Sequence, residues 1–102
     1  MNGNILRELK LALKALADTS RLEMVSHLAD GREVTVTDLA VALHISQPLL
    51  SWHLRSLKKA GLVNTRREGR VVHCSLNLKQ LAWCQQQIAM LAGNQARVLA
   101  SG

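Results

Sequence analysis

The sequence predicts a mainly α-helical domain that carries one small β-hairpin, an α+β class. Amphipathic helical patterns fill most of its 102 residues, two short β-branched runs flank a glycine, and the apolar content suffices for one core. No apolar run approaches the roughly 18 residues that cross a bilayer, and the N-terminus lacks a signal peptide's apolar segment. We therefore expect a single cytoplasmic domain over residues 1–102 that makes no membrane contact.

The first half of the chain contains three predicted helices and one short strand. Residues 4–17 and 20–30 carry apolar side chains at helical spacing, separated by a polar segment that can cap the second helix. Residues 33–36 alternate and include β-branched side chains, which favours a small strand. Thr37 can then cap a two-turn helix over residues 38–44.

Residues 46–63 have the pattern of a short amphipathic helix with a defined start and end. Ser46 can cap it, Pro48 falls in the first turn, and Gly61 follows the last periodic position. One face is a leucine stripe formed by Leu50, Leu54 and Leu57. The opposite face has hydrogen-bonding groups, one aromatic ring and two cations but no acid: Pro48, Ser51, Trp52, Arg55, Ser56 and Lys59. Such a helix can enter a DNA groove, although an ordinary basic surface helix has the same pattern.

The positive charge is concentrated in one part of the chain. Residues 1–54 have a net charge of −1, residues 55–70 of +5 and residues 71–102 of +2, which together give the overall +6. A concentrated basic stretch indicates a polyanion-binding site, whereas an unspecialised basic protein would spread its charge. A solvated basic face is the alternative.

A basic β-hairpin is predicted directly after this helix. The runs 62–67 and 71–76 flank a turn with Gly69, and the tip carries Arg66, Arg67 and Arg70. A short helix, a tight connector, a helix with a polar outer face and then a basic hairpin make the winged helix-turn-helix arrangement. We call residues 46–63 the recognition helix and the hairpin the wing, which can reach the phosphates or the minor groove beside that helix.

The two terminal helices predict self-association. A last helix is expected from Asn77 to about Ala96, and both it and the first helix are strongly apolar on one side. A domain of this size cannot bury both apolar faces completely, but a C2 homodimer through the two helices would do so. The residues expected at that interface are Leu6, Leu9, Leu13, Leu81, Ile88 and Leu91.

Short motifs over most of residues 13–76 carry a family resemblance. They are Leu13–Asp18, Ser20-Arg21-Leu22, Thr37-Asp38-Leu39-Ala40, Ser46-Gln47-Pro48 with Ser51, His53-Leu54, Leu57, Ala60-Gly61-Leu62-Val63, and Arg66–Arg70. In this order they resemble the ArsR/SmtB (arsenic-repressor) family of bacterial winged-helix transcriptional repressors. The resemblance implies a homodimer that binds a double-stranded DNA operator and is released when an effector binds.

By position, the resemblance assigns base reading to the recognition helix and backbone contacts to the wing. The complete set of DNA contacts that we expect is Ser46, Gln47, Pro48, Ser51, Trp52, Arg55, Lys59, Arg66, Arg67 and Arg70. Trp52 departs from the family pattern, in which a polar or basic residue is more common. Its ring packs either on a thymine methyl or deoxyribose, or on the protein itself.

The metal sites of the family have no counterpart here. Where one family site has Cys-x-Cys-Asp-Leu, this chain has Thr35-Val36-Thr37-Asp38-Leu39, and threonine is a poor ligand for a soft metal. The other family site uses His or Glu on the last helix, and residues 77–102 contain no His, Asp or Glu. The four histidines, scattered without ligand spacing, are expected to be structural: His27, His44, His53 and His73. We expect no metal and no cofactor, and the effector stays unknown.

Three other interpretations remain open at this point. Cys74 and Cys84 are either buried and inert or form a redox switch, as cysteine pairs do in some members of the family. A protein-interaction module could use the same frame. An enzyme has little support, because the chain lacks a nucleophile with a base, a glycine-rich phosphate loop and paired carboxylates.

Overall fold

The computed structural model describes residues 1–93, which form five α-helices and three β-strands. The helices are α1 (Gly3–Leu16), α2 (Thr19–His27), α3 (Val36–Leu43), α4 (Gln47–Lys59) and α5 (Leu78–Leu91). The strands are β1 (Val34–Thr35), β2 (Val63–Glu68) and β3 (Val71–Leu76). The predicted class and order of elements are confirmed. Within the described residues, no helix has the length and apolar character needed to cross a membrane.

Three predicted helix boundaries are wrong. The second helix ends at His27 and not at residue 30, because a separate 3-10 turn follows over Ala29–Gly31. The last helix ends at Leu91 instead of near Ala96, because the backbone turns there and Gly93 N–H donates to the Met90 carbonyl at 3.2 Å. Residues 94–96 of that prediction lie outside the described residues. The cap of α3 is Thr35 and not Thr37, since the helix begins two residues earlier, and the Thr35 hydroxyl accepts from Asp38 N–H at 3.1 Å.

The recognition helix α4 begins and ends as its sequence predicts. The Ser46 hydroxyl accepts a hydrogen bond from Leu49 N–H at 3.2 Å, and Pro48 lies in the first turn. Gly61 has a φ of +74°, and Leu62 N–H donates to the Leu57 carbonyl at 3.0 Å. This six-to-one bond closes a Schellman motif, which turns the chain sharply from α4 into β2.

The leucine stripe of α4 lies at the centre of the core. Leu50 and Leu57 are fully buried, Leu54 is nearly so, and α4 contacts α1, α2, α3 and β2. The buried side of α4 also includes His53. Since the stripe packs inward, the opposite face of the helix is presented outward.

The three strands form one antiparallel sheet in the order β1–β3–β2. The wing is tight: Glu68 pairs with Val71, and a two-residue turn with Gly69 at φ +62° joins the strands. The short strand β1 pairs with β3 through the Val34–Cys74 register. The small strand expected near residues 33–36 therefore joins the wing to the start of α3.

Adjacent leucines of α4 provide a test of this packing. Leu50→Ala should lower the free energy of unfolding by about 2–5 kcal/mol, because it leaves a cavity at a fully buried position. Leu49→Ala, at an exposed position one residue earlier, should cost less than about 1 kcal/mol. Urea denaturation of the two variants measures the difference, and equal losses would contradict the orientation of the helix.

Candidate nucleic-acid interface

The recognition helix, the start of α3 and the wing border one open groove of about 960 Å³. The polar and charged side chains that line this groove are Thr35, Thr37, Asp38, Gln47, Ser51, Arg55, Lys58, Thr65, Arg67 and Arg70. Four of them are cations and one, Asp38, is an acid. An excess of positive charge inside a concave surface attracts polyanions.

The outer face of α4 is exposed beside this groove. Gln47, Ser51 and Arg55 follow one another at intervals of four residues, so their side chains project from one side of the helix. All three line the groove and are exposed. Pro48 and Lys59 are also exposed, outside the residues that line it.

Two hydrogen bonds fix the start of α4. The Gln47 side-chain amide donates to the Thr37 hydroxyl at 3.3 Å, which links α4 to α3 across the groove. Because the Ser46 hydroxyl oxygen accepts from the helix backbone, its hydrogen can still donate outward. Both side chains are thus oriented before any ligand is present.

Trp52 is 57% exposed, although it has a protein contact. Its ring meets the His53 ring edge to face, with 5.4 Å between the ring centroids and 62° between the planes. The protein contact therefore covers only part of the indole, and the remainder faces outward.

Arg21 ties the recognition helix to α1 and α2, a role that the sequence did not reveal. Its Nε donates to the Ala15 carbonyl at 2.6 Å, and its terminal nitrogen lies 3.2 Å from His53 Nδ1. A guanidinium can only donate, so His53 Nδ1 is the acceptor in this contact. The expectation that His53 is structural agrees with its burial.

Arg66 does not line the groove, in contrast to its neighbour Arg67. Side chains alternate along a strand, so the two arginines lie on opposite faces of β2. Arg66 donates two hydrogen bonds to Glu33 and a third to Glu68, each at 2.9 Å. These bonds hold the pKa of both carboxyls below their ordinary value and raise the pKa of Arg66. The expectation of Arg66 as a DNA contact is not supported by this position.

The residues expected at a dimer interface divide into two groups. Leu6, Leu13, Ile88 and Leu91 are exposed apolar side chains. Leu9 is 3% exposed and belongs to the chain's own core, against which Leu81 also packs. Leu6, Leu9, Leu13, Ala17 and Leu91 line a second, apolar groove of about 420 Å³ between α1 and the end of α5.

The thiols are buried and belong to different elements. Cys74 on β3 donates its S–H to the Val34 carbonyl, with 3.2 Å between sulfur and oxygen, and burial raises its pKa to about 11. Burial also raises the pKa of Cys84 on α5. Across residues 1–93, no three side chains of His, Cys, Asp or Glu lie together as a metal site requires.

Comparisons with known proteins agree with this architecture. Residues 18–65 match the model of the arsR family of bacterial regulatory proteins. The arsenical resistance operon repressor of Escherichia coli K12 is 36% identical over 100 residues, which cover 87% of this chain and 86% of that protein.

Two solved structures share both fold and sequence similarity. HlyU from Vibrio cholerae superimposes with a TM-score of 0.72 and 35% identity, over 85% of this chain and 94% of that one. The homodimeric winged helix-turn-helix DNA-binding domain of a possible ArsR-family regulator from Mycobacterium bovis gives a TM-score of 0.70 and 29% identity, over 86% and 88% of the two chains. Since the relatives are transcriptional regulators and not enzymes, and the similarity to the Escherichia coli repressor extends over most of both chains, the chain belongs to the arsR family of bacterial regulatory proteins.

Proposed function

We propose that the chain is a homodimeric repressor that binds operator DNA through α4 and the wing. An effector other than the metals of its family would release it. The observation that carries this proposal is the groove in which four cations meet the exposed face of a recognition helix. The Escherichia coli relative is an operon repressor, which supports the same role for this chain.

The side chains on α4 match the chemistry of base edges in the major groove. Arg55 can donate two hydrogen bonds to guanine, and Gln47 can pair with the edge of adenine. Ser51 can donate or accept, and the exposed part of Trp52 can pack on a thymine methyl. In this proposal the face of α4 reads sequence.

The remaining cations and the helix cap suit the DNA backbone. Arg67 and Arg70 lie on the wing side of the groove, and Lys58, which is not among the predicted contacts, lines it from α4. These side chains, together with the Ser46 hydroxyl and Lys59, would contact phosphates and set the register. Arg66 is left out of the proposed contacts because its guanidinium is already paired.

A second copy of the chain fits the apolar groove between α1 and α5. Leu6, Leu13 and Leu91 are exposed at its border, and Ile88 adds to the exposed apolar surface of α5. A contiguous apolar surface of this kind marks an interaction site, and the Mycobacterium bovis relative is homodimeric. A C2 dimer would present two recognition helices to half-sites about one DNA turn apart.

The chemistry of the described residues argues for an effector other than a metal. At the start of α3, where the family has thiolates, this chain has Thr35 and Thr37. Helix α5 carries no histidine or carboxylate between Leu78 and Leu91. Soft metals select thiolate ligands, for which threonine is a poor substitute, and Cys84, the thiol of α5, is buried in the core.

A thiol switch has weaker support than a structural role for the cysteines. A pKa of about 11 leaves only about one Cys74 thiol in ten thousand ionised at neutral pH, and the thiolate is the reactive form. Both sulfurs are also shielded from solvent. We therefore propose that the two cysteines stabilise the core.

Selection of bound duplexes from a random pool tests the DNA-binding function, and Arg55→Ala tests the proposed base contact. The variant should lose about 1–3 kcal/mol of binding free energy on the selected operator and relax the preference at one base pair. Arg7→Ala on α1 removes the same charge away from the groove and serves as the control. Equal weakening on every duplex would show that Arg55 contacts only phosphate.

Two exposed leucines of α1 test the dimer. Leu13 lines the apolar groove, whereas Leu11 is equally exposed outside it. Leu13→Glu should shift the chain to monomers in sedimentation velocity, because it places a charge in the interface, and Leu11→Glu should leave the dimer intact. A monomeric wild-type protein at micromolar concentration would contradict the dimer.

Thiol reactivity distinguishes a structural role from a redox role. In the folded protein both cysteines should react with a disulfide reagent orders of magnitude more slowly than in urea, because burial and a raised pKa suppress the thiolate. The Cys74→Ser and Cys84→Ser variants should retain whatever release the oxidised wild type shows. Fast labelling, together with loss of oxidative release in either variant, would support the switch.

A further inference from the structure

We infer that Arg66 is a positioning residue of the wing, which holds Arg67 and Arg70 toward the DNA groove through its pairing with Glu33 and Glu68. The inference rests on the proposed DNA-binding function. The sequence predicts that Arg66 contacts DNA, whereas this inference gives Arg66 a role within the protein.

The geometry of the pairing is that of a specific link. Arg66 Nε donates to one oxygen of Glu33 and its terminal nitrogen to the other, both at 2.9 Å. The second terminal nitrogen donates to Glu68 at 2.9 Å. A guanidinium matched to both oxygens of a carboxylate is directional as well as charged, so it fixes orientation better than a single ion pair does.

The partners of Arg66 connect the two walls of the groove. Glu33 directly precedes β1, and β1 leads through Thr35, its last residue, into α3. Arg66 lies in β2, on the opposite side of β3 from β1. The Arg66–Glu33 pair therefore spans the central strand and ties the wing to the helix that borders the groove.

Backbone pairing between β1 and β3 contributes little to the orientation of the wing relative to α3. Strand β1 contributes only two residues to the pairing with β3, to which the Cys74 S–H adds one bond to the Val34 carbonyl. Because β1 is so short, side-chain contacts such as the Arg66–Glu33 pair contribute more to the orientation of the wing. Arg67, the neighbour of Arg66, lines the groove, so a rotation of the wing would displace it together with Arg70.

The local charge argues against a direct DNA contact by Arg66. Two carboxylates surround the one guanidinium, and His73 Nε2 lies 3.9 Å from Glu68. Arg66 and the two carboxylates together carry a net charge of −1, so the guanidinium has no excess positive charge to offer to a phosphate. Glu68, beside the turn of the wing, and Glu33, in front of β1, weaken the attraction for DNA, which is explained if they position the cations on the other face of the wing.

A single charge removal separates positioning from plain electrostatics. Glu33→Gln makes the chain more positive, so electrostatics alone predicts tighter binding to DNA. Positioning predicts the opposite: affinity for a mixed-sequence duplex of about 30 base pairs should fall about two- to fivefold, the upper part of the range for a surface pair. Glu23→Gln on α2 removes the same charge away from the wing and is the matched control.

Two substitutions of Arg66 test the positioning role by changing the guanidinium instead of its partner Glu33. Arg66→Lys keeps the charge and would still contact phosphate, but it cannot pair with both oxygens of Glu33, so we expect a loss close to that of Arg66→Gln. A direct phosphate contact by Arg66 predicts instead that Arg66→Lys binds like the wild type, because a lysine keeps the charge and with it the contact. The Glu33→Gln/Arg66→Gln double variant should bind no more weakly than the weaker single variant.

The outcomes distinguish this inference from the proposed function. Wild-type affinity for the duplex tests DNA binding itself, and without it both proposals fail. If the wild type binds, but Glu33→Gln binds equally or more tightly, or Arg66→Lys binds like the wild type, the positioning role is wrong. Urea denaturation of each variant shows whether it is folded at the temperature of the binding assay, and a loss of affinity counts as support only in a folded variant.

Discussion

The burial of one leucine stripe on α4 is the constraint on which the rest of the structure depends. Leu50, Leu54 and Leu57 pack inward among three other helices and β2, so the opposite side of the helix has to face outward. Burial of three leucines contributes several kcal/mol, far more than any exposed polar contact of the same helix. The core therefore determines which side chains are presented, and the surface determines what they contact. Arg21 strengthens this arrangement by joining α4 to the end of α1.

Local signals made the recognition helix predictable. Its cap, its proline, its terminal glycine and its leucine spacing all lie within one short stretch, and each acts over a few residues. The surroundings of Arg66 depend instead on Glu33, 33 residues away in the sequence, which only the folded sheet brings into contact. The burial of Leu9 in the chain's own core was not predicted for a related reason, since periodicity shows that a helix has an apolar face but not how much of that face its own chain covers. The cap of α3 was predicted at Thr37 instead of Thr35, because two threonines with equal capping ability lie two residues apart.

In the proposed function, the residues that contact DNA and the positions where the family binds its metal effectors are in different parts of the chain. Five of the ten residues expected to contact DNA line the groove, together with Lys58: Gln47, Ser51, Arg55, Arg67 and Arg70. At the start of α3 and along α5, by contrast, the ligands of the family are replaced by threonine and by uncharged side chains. Thr35 is half-buried and Thr37 is exposed, so these replacements leave the core unchanged. In the proposed function, the DNA-binding frame is therefore independent of the effector.

The positions of the two tryptophans make intrinsic fluorescence a probe of two separate surfaces of the molecule. The chain has no tyrosine, so emission excited in the near ultraviolet comes only from Trp52 and Trp83. Trp52 stands largely in solvent on the recognition helix, whereas Trp83 on α5 packs against the core. One indole therefore senses the surface where DNA is proposed to bind and the other the helix proposed to join two copies. Replacing either tryptophan with phenylalanine leaves a single emitter. DNA binding at α4 and association through α5 can then be measured separately, without an attached dye.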